Sequence, residues 1–184
     1  MFWKAKLPLK IKIFLWYLKK GVIFTKDNLI KRRWKGDSKC CFCGLEENIQ
    51  HLFFDCRIAR SVWNVLFITF NFQPPKSITH MFGSWIRSFA PSLRNQIIVG
   101  IAAICWVIWL NRNDAVFQNL VTNSCVQVLF RGTFWIRQWS MLSKEEVGRN
   151  LKEGCRRLEG LVLQFFCIQL VEESKNDWTV KILV

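Results

Sequence analysis

KCCFCGLEENIQHLFFDC, residues 39–56, places four cysteines and one histidine within a short segment of the chain. Two cysteines separated by two residues can present both sulfurs to one metal ion, and Gly44 lets the backbone reverse directly after them. His51 and Cys56 follow at a distance that lets them approach the same point from the other side. The spacing C-x2-C-x7-H-x4-C therefore predicts a metal site whose four ligands are Cys40, Cys43, His51 and Cys56.

The types of these four residues indicate the metal. Three soft thiolates and one imidazole favour Zn(2+), the cofactor that we expect. Four protein ligands complete a tetrahedron and leave no open position for water, so we expect a structural site rather than a catalytic one. One alternative pairs Cys41 with Cys43, but we favour Cys40, because a C-x-x-C turn lets both sulfurs face one point. The other alternative is a set of buried thiols beside a surface histidine.

Hydrophobic periodicity predicts a mainly α fold on both sides of this segment. Pro8 suits the first turn of a helix whose inner face is Ile11, Phe14, Leu15 and Leu18, with Gly21 at its end. The four apolar positions recur at helical spacing, whereas the lysines between them fall on the opposite face. Trp16 in the same helix is expected in the core.

A second short helix is expected to follow. Thr25 is a suitable N-cap for a helix over KDNLIKRRW, residues 26–34, that buries Leu29 and Ile30. Further along, Gln73-Pro74-Pro75-Lys76 interrupts the helical pattern. We place a domain boundary there, which gives a zinc-stapled helical module at 1–72 and a helical C-terminal region at 73–184.

The C-terminal region contains a short predicted helix marked by Ile78, Phe82, Trp85 and Phe89, which stops near Pro91, and three further predicted helices. They cover about 93–118, about 124–141, and a segment after Ser143 that opens with a capping box and has Leu151, Leu158, Val162 and Phe165 among its inner residues. The last residues, from Trp178, are expected to be extended. Residues 97–110 are apolar, but 14 residues are fewer than the ~20 that a membrane span needs, so we expect a buried core helix and no membrane partner.

The charge of the chain is strongly positive and uneven. The net charge is +14, and the first 40 residues hold 12 basic and 2 acidic side chains. Such a segment favours a polyanionic partner, RNA or DNA, although lysines that merely solvate helix faces are the alternative. Aromatic residues lie between the cations and can stack on unpaired bases. The expected phosphate contacts are Lys26, Lys31, Arg32, Arg33, Lys35 and Lys39.

These elements together resemble the zinc-binding domain that follows the reverse transcriptase in plant non-LTR (LINE-type) retrotransposons. The matching elements are Trp3-Lys4, Pro8-Leu9-Lys10-Ile11, Phe14-Leu15-Trp16, Thr25-Lys26-Asp27-Asn28-Leu29, Arg32-Arg33, Cys40, Cys43-Gly44, Glu46-Glu47, His51-Leu52-Phe53, Cys56 and Trp63. Downstream, Trp106-x-x-Trp109-x-x-Arg112-Asn113-x-x-x-Phe117 is similar to the helix that trails this domain. Cys41 departs from the pattern, since many relatives carry another residue there.

The resemblance implies a detached tail of a retroelement polyprotein. The chain has no Tyr-x-Asp-Asp polymerase motif and no spaced carboxylates of the kind that hold two metals in a ribonuclease H, so we expect no enzyme activity. A reverse transcriptase domain is an expected partner beside nucleic acid. The alternative function is a structural, zinc-stapled protein-interaction module without nucleic-acid contact. The first residues lack an export signal, so we expect an intracellular location, with the nucleus as one option.

Overall fold

The computed structural model describes residues 2–118, 120 and 124–181, with side chains up to residue 165. Within these residues the chain is helical, and its one β contact is an isolated antiparallel bridge between Lys39 and Glu46. The predicted mainly α class is confirmed. The helices are α1 (Leu9–Lys20), α2 (Lys26–Ile30), α3 (Arg57–Phe70), α4 (Ile78–His80), α5 (Pro91–Phe117), α6 (Cys125–Ser140) and α7 (Glu145–Lys181), with a 3-10 turn at Phe2–Lys4 and wider π turns at His51–Asp55 and Met81–Trp85.

Helix α1 is the element that the sequence describes best. It begins directly after Pro8, and Gly21 ends it in the left-handed conformation (φ 72°) that glycine tolerates. Its buried residues are Ile11, Phe14, Leu15 and Leu18, as predicted. The expectation that Trp16 lies in the core is wrong, because its side chain is 40% exposed on the opposite face of the helix.

Helix α2 is shorter than predicted and buries less of its apolar surface. Thr25 occupies the N-cap position, as predicted, but Ile30 is exposed and Leu29 is only half-buried. The chain leaves the helix because Arg33 adopts a left-handed conformation (φ 67°) and the backbone N–H of Trp34 donates to the carbonyl of Leu29. The predicted burial of Ile30 is therefore wrong.

The three long helices form the larger part of the structure. Helix α6 packs against both α5 and α7, α3 packs against α6 and α7, and α1 packs against α5. By length and composition α5 could cross a membrane (mean hydropathy 1.7 over 18 residues), but half of that window is buried inside the fold. The buried apolar residues form one connected core from Phe2 to Val162, which extends across the proposed boundary at 72/73. That boundary stays a prediction.

Helix α7 differs from its prediction at its far end. Leu151, Leu158 and Val162 are buried as expected, whereas Phe165 is exposed. The segment from Trp178 was expected to be extended, but the helix continues to Lys181. No proline or glycine follows Gly160, so the backbone meets no residue that would end the helix.

Candidate metal centre

The first two cysteines of the predicted ligand set lie in a tight hairpin. The backbone N–H of Cys40 donates to the carbonyl of Leu45 (2.6 Å), and the N–H of Gly44 donates to the carbonyl of Cys40 (2.9 Å). Gly44 has φ 75°, a conformation that side chains with a Cβ rarely adopt. The turn therefore requires a glycine at this place, and it brings Cys40 and Cys43 to the same side of the hairpin.

The other two predicted ligands flank a π turn, His51–Asp55. The N–H of Cys56 donates to the carbonyl of His51 (2.7 Å), and the N–H of His51 donates to the side-chain oxygen of Asn48 (2.8 Å). The wider turn places residues five apart on one side of the backbone. Cys56 is also the N-cap of α3, where the helix dipole favours a thiolate.

The four predicted ligand atoms converge. Each ligand atom of Cys40, Cys43, His51 and Cys56 lies within 4.8 Å of the other three. The sulfurs of Cys40 and Cys56 are 3.9 Å apart, and the sulfur of Cys43 is 3.1 Å from Nε2 of His51. A tetrahedron of thiolates and imidazole around zinc has edges of roughly 3.5–3.8 Å, and the two distances lie within about 0.4 Å of this range. The arrangement therefore fits Zn(2+), and Cys40 rather than Cys41 belongs to the cluster.

The pKa values of two cysteines in the cluster are shifted in opposite directions. Hydrogen bonds from Cys41 and then from Cys56 lower the pKa of the Cys40 thiol, which favours its thiolate form. The same hydrogen bond to Cys40, together with burial, raises the pKa of Cys56. Zinc must displace the proton of Cys56 to bind all three sulfurs, because only the thiolate is a ligand.

A buried ion pair between Glu47 and Arg112 was not predicted from the sequence. The guanidinium of Arg112 donates to both carboxylate oxygens of Glu47, with Nη2 2.8 Å and Nε 3.0 Å from Oε1 and Nε 3.3 Å from Oε2. Both side chains are buried, with exposed fractions of 1% for Arg112 and 0% for Glu47. Glu47 also accepts from the backbone N–H of Lys26 (2.9 Å) at the start of α2. Glu47 thus connects the hairpin that carries Cys40 and Cys43, called the zinc hairpin below, to α2 and to α5.

The six predicted phosphate contacts differ in their surroundings. Lys26 is buried, and its amine donates to the carbonyl of Lys39 and lies 3.7 Å from Asp37. Lys31 and Lys39 are exposed but are paired with Asp27 (3.2 Å) and Glu46. The remaining three are exposed, and in the part of the chain that the structure describes they make no salt bridge. These three are Arg32, Arg33 and Lys35.

The comparisons with known proteins bear on the first third of the chain. No curated protein and no solved structure matches it. Among the described residues, the three cysteines and His51 are the one group of three or more metal-binding side chains that comes together. A family model described as zinc-binding in reverse transcriptase matches residues 1–63, a span that contains all four of them. Residues 1–63 are therefore similar to a zinc-binding domain of reverse transcriptases, and the site within them fits Zn(2+).

Proposed function

We propose that this chain is a non-catalytic module that folds around zinc and holds nucleic acid beside a reverse transcriptase, as part of a plant LINE-type retroelement. The family match and the convergent ligands support the zinc-binding part. Four protein ligands leave zinc no open position for a reacting water, which supports a structural metal and a chain without enzyme activity of its own.

The observation that carries the nucleic-acid part is the exposed charge of the first 40 residues. Ten of the twelve lysines and arginines in this segment are exposed, and Asp37 is its one exposed carboxylate. Arg32, Arg33 and Lys35 follow α2 without an acidic partner among the described residues. Cations that are free of carboxylates can neutralise phosphates and release counterions, which drives sequence-independent binding.

The structure narrows the set of residues proposed to contact phosphate. Lys26 is left out, because its side chain is buried and moving its amine to a phosphate would break its hydrogen bond to the carbonyl of Lys39. Lys31 and Lys39 already form salt bridges with Asp27 and Glu46, which makes them weaker candidates for binding phosphate. Arg32, Arg33 and Lys35 are therefore the principal proposed contacts.

The test is a binding titration of the zinc-loaded chain against single-stranded RNA and DNA at about 50 and about 200 mM salt. Each lost phosphate contact reduces the slope of log affinity against log salt by about 0.7 on a single strand. The double variant Arg33→Glu, Lys35→Glu should therefore bind more weakly and with a shallower slope. Arg149→Glu, Lys152→Glu on the exposed side of α7 is the matched control. A wild-type chain without salt-sensitive affinity for either nucleic acid would refute the proposal.

A second candidate function is protein docking, and the outer face of α1 favours it. Leu9, Ile13, Trp16 and Tyr17 are all exposed there. An apolar face of this kind can dock on a neighbouring reverse transcriptase domain. Charge reversal at Arg33 and Lys35 should leave such docking intact, whereas Leu9→Glu should weaken it, so the two functions are separable.

A further inference from the structure

A groove lies between α1, residues 22–24 and α5, and Arg32 also lines it. Its volume is about 430 Å³, within the ~300–1,000 Å³ that is typical of ligand sites. The residues that bear on its chemistry are Lys10, Tyr17, Phe24, Arg32, Trp106 and Trp109. The groove thus combines aromatic rings with two cations.

The aromatic rings of the groove are accessible from outside. Tyr17 and Phe24 are 44% and 49% exposed at its rim, and both indoles from α5 are half-buried in its wall. Phe14 packs edge-on against Trp106, with ring centroids 5.1 Å apart, which holds that indole in place from the core side. Planar side chains held in this way offer flat apolar surfaces to a flat ligand.

The two cations of the groove are held against aromatic rings. The amine of Lys10 lies 5.9 Å from the ring centre of Trp106 and 5.7 Å from that of Trp135, and the guanidinium of Arg32 lies 4.7 Å from the ring centre of Phe24. Both cations are exposed, and neither makes a salt bridge with any residue whose side chain the structure describes. Their charges are therefore available to an anion.

We propose that this groove takes an unpaired base of a single-stranded nucleic acid. The base stacks on Tyr17 or Phe24, and the flanking phosphates lie against Lys10 and Arg32. Stacking needs a base whose face is free, whereas the faces of bases inside a duplex are already covered, so the groove selects single strands. The inference rests on the proposed nucleic-acid binding. It adds a preference for single strands over duplexes and names the residues that contact the base and its phosphates.

Tyr17 is the single tyrosine of the chain, which gives a direct probe of the groove. The full chain, loaded with zinc and labelled biosynthetically with 3-fluorotyrosine, should show one fluorine resonance. That resonance should shift when a single-stranded oligouridine is added and stay in place when a duplex of equal charge is added. If the protein binds the oligouridine but the chemical shift of this resonance does not change, the proposal is wrong.

Affinities of variants give the second readout. Tyr17→Ala and Phe24→Ala should each lower the affinity for the single strand about five-fold or more and change the duplex affinity less than two-fold. Phe165→Ala removes an equally exposed aromatic ring from α7 and should change neither affinity. Zinc content and far-UV circular dichroism check that each variant is folded.

The failures of the two proposals are distinguishable. If the wild-type chain binds single strands and duplexes alike, and the two aromatic variants leave both affinities unchanged, then the groove proposal is wrong and nucleic-acid binding through the basic surface stands. If the wild-type chain binds neither, the proposed function itself is wrong, and the groove proposal fails with it.

Discussion

The carboxylate of Glu47 and the guanidinium of Arg112 form a buried, bidentate ion pair between residues that are 65 positions apart in the chain. Glu47 lies between the second cysteine of the metal cluster and its histidine, and Arg112 lies in α5, beyond the proposed domain boundary. The ring of Trp109 covers the guanidinium of Arg112 at 5.2 Å. The pair therefore couples the zinc hairpin to the long apolar helix.

Removing the charge of Glu47 should strongly destabilise the protein. Glu47→Gln leaves the Arg112 guanidinium buried without a counter-charge, which typically costs about 3–5 kcal/mol. Glu46→Gln is the matched control, because the neighbouring carboxylate is exposed and solvent screens its pair with Lys39, so its loss should change the stability little. Urea unfolding of both zinc-loaded variants measures the difference, and equal losses would contradict a special role for Glu47.

The two adjacent cysteines should differ in their effect on zinc. Cys40→Ser should lower bound zinc well below one per chain, since the sulfur of Cys40 is one of the four convergent atoms. Cys41→Ser should keep one zinc per chain, because Cys41 is not among the four residues whose ligand atoms converge. Metal analysis of the purified variants decides between them. Zinc loss in the Cys41 variant alone would show that Cys41 is the ligand.

The two histidines of the chain allow a similar test of how zinc supports the fold. His51→Ala should release zinc and increase amide hydrogen exchange in the hairpin and in the first turn of α3, because metal binding contributes on the order of 10 kcal/mol in zinc modules. His80→Ala is the control, since the imidazole of His80 lies outside the metal cluster and accepts a hydrogen bond from the backbone N–H of Lys76. Undiminished protection in the His51 variant would mean that the helices hold the hairpin without metal.

The ion pair between Arg137 and Glu159 should make a pH-dependent contribution to stability. Hydrogen bonds from Arg137 lower the pKa of Glu159 below its ordinary value of 4.5. The contribution is thus present above that value and is lost as the pH falls through the lowered pKa. Glu159→Gln should cost about 1 kcal/mol at neutral pH, and the gap to the wild type should close in acid. Glu153→Gln, in an exposed pair, should show almost no gap at any pH.

Much of the helical fold and the whole metal cluster could be predicted from the sequence, because each depends on local spacing. Four ligands in one short segment and apolar residues at helical intervals need no knowledge of distant contacts. The position of Trp16 could have been predicted in the same way. It lies off the face that Ile11, Leu15 and Leu18 define, so its size was a poorer guide than its place in the helix.

The coupling of Glu47 to Arg112 could not be predicted by spacing, because it joins two segments far apart in the chain. A signal is nevertheless present in α5. Ile101, Cys105, Ile108 and Arg112 follow one another at helical intervals, and all four are buried. An arginine on the buried face of an apolar helix requires an acidic partner, but only the folded chain reveals which carboxylate meets it. The burial of Lys26 is a tertiary effect of the same kind.

X-ray absorption at the zinc edge of the purified wild-type chain tests the central claim most directly, because it reports both the presence of the metal and the atoms around it. We expect one zinc per chain with three sulfurs at about 2.3 Å and one nitrogen at about 2.0–2.1 Å. A chain without zinc, or a zinc surrounded mainly by oxygen, would contradict the site formed by Cys40, Cys43, His51 and Cys56.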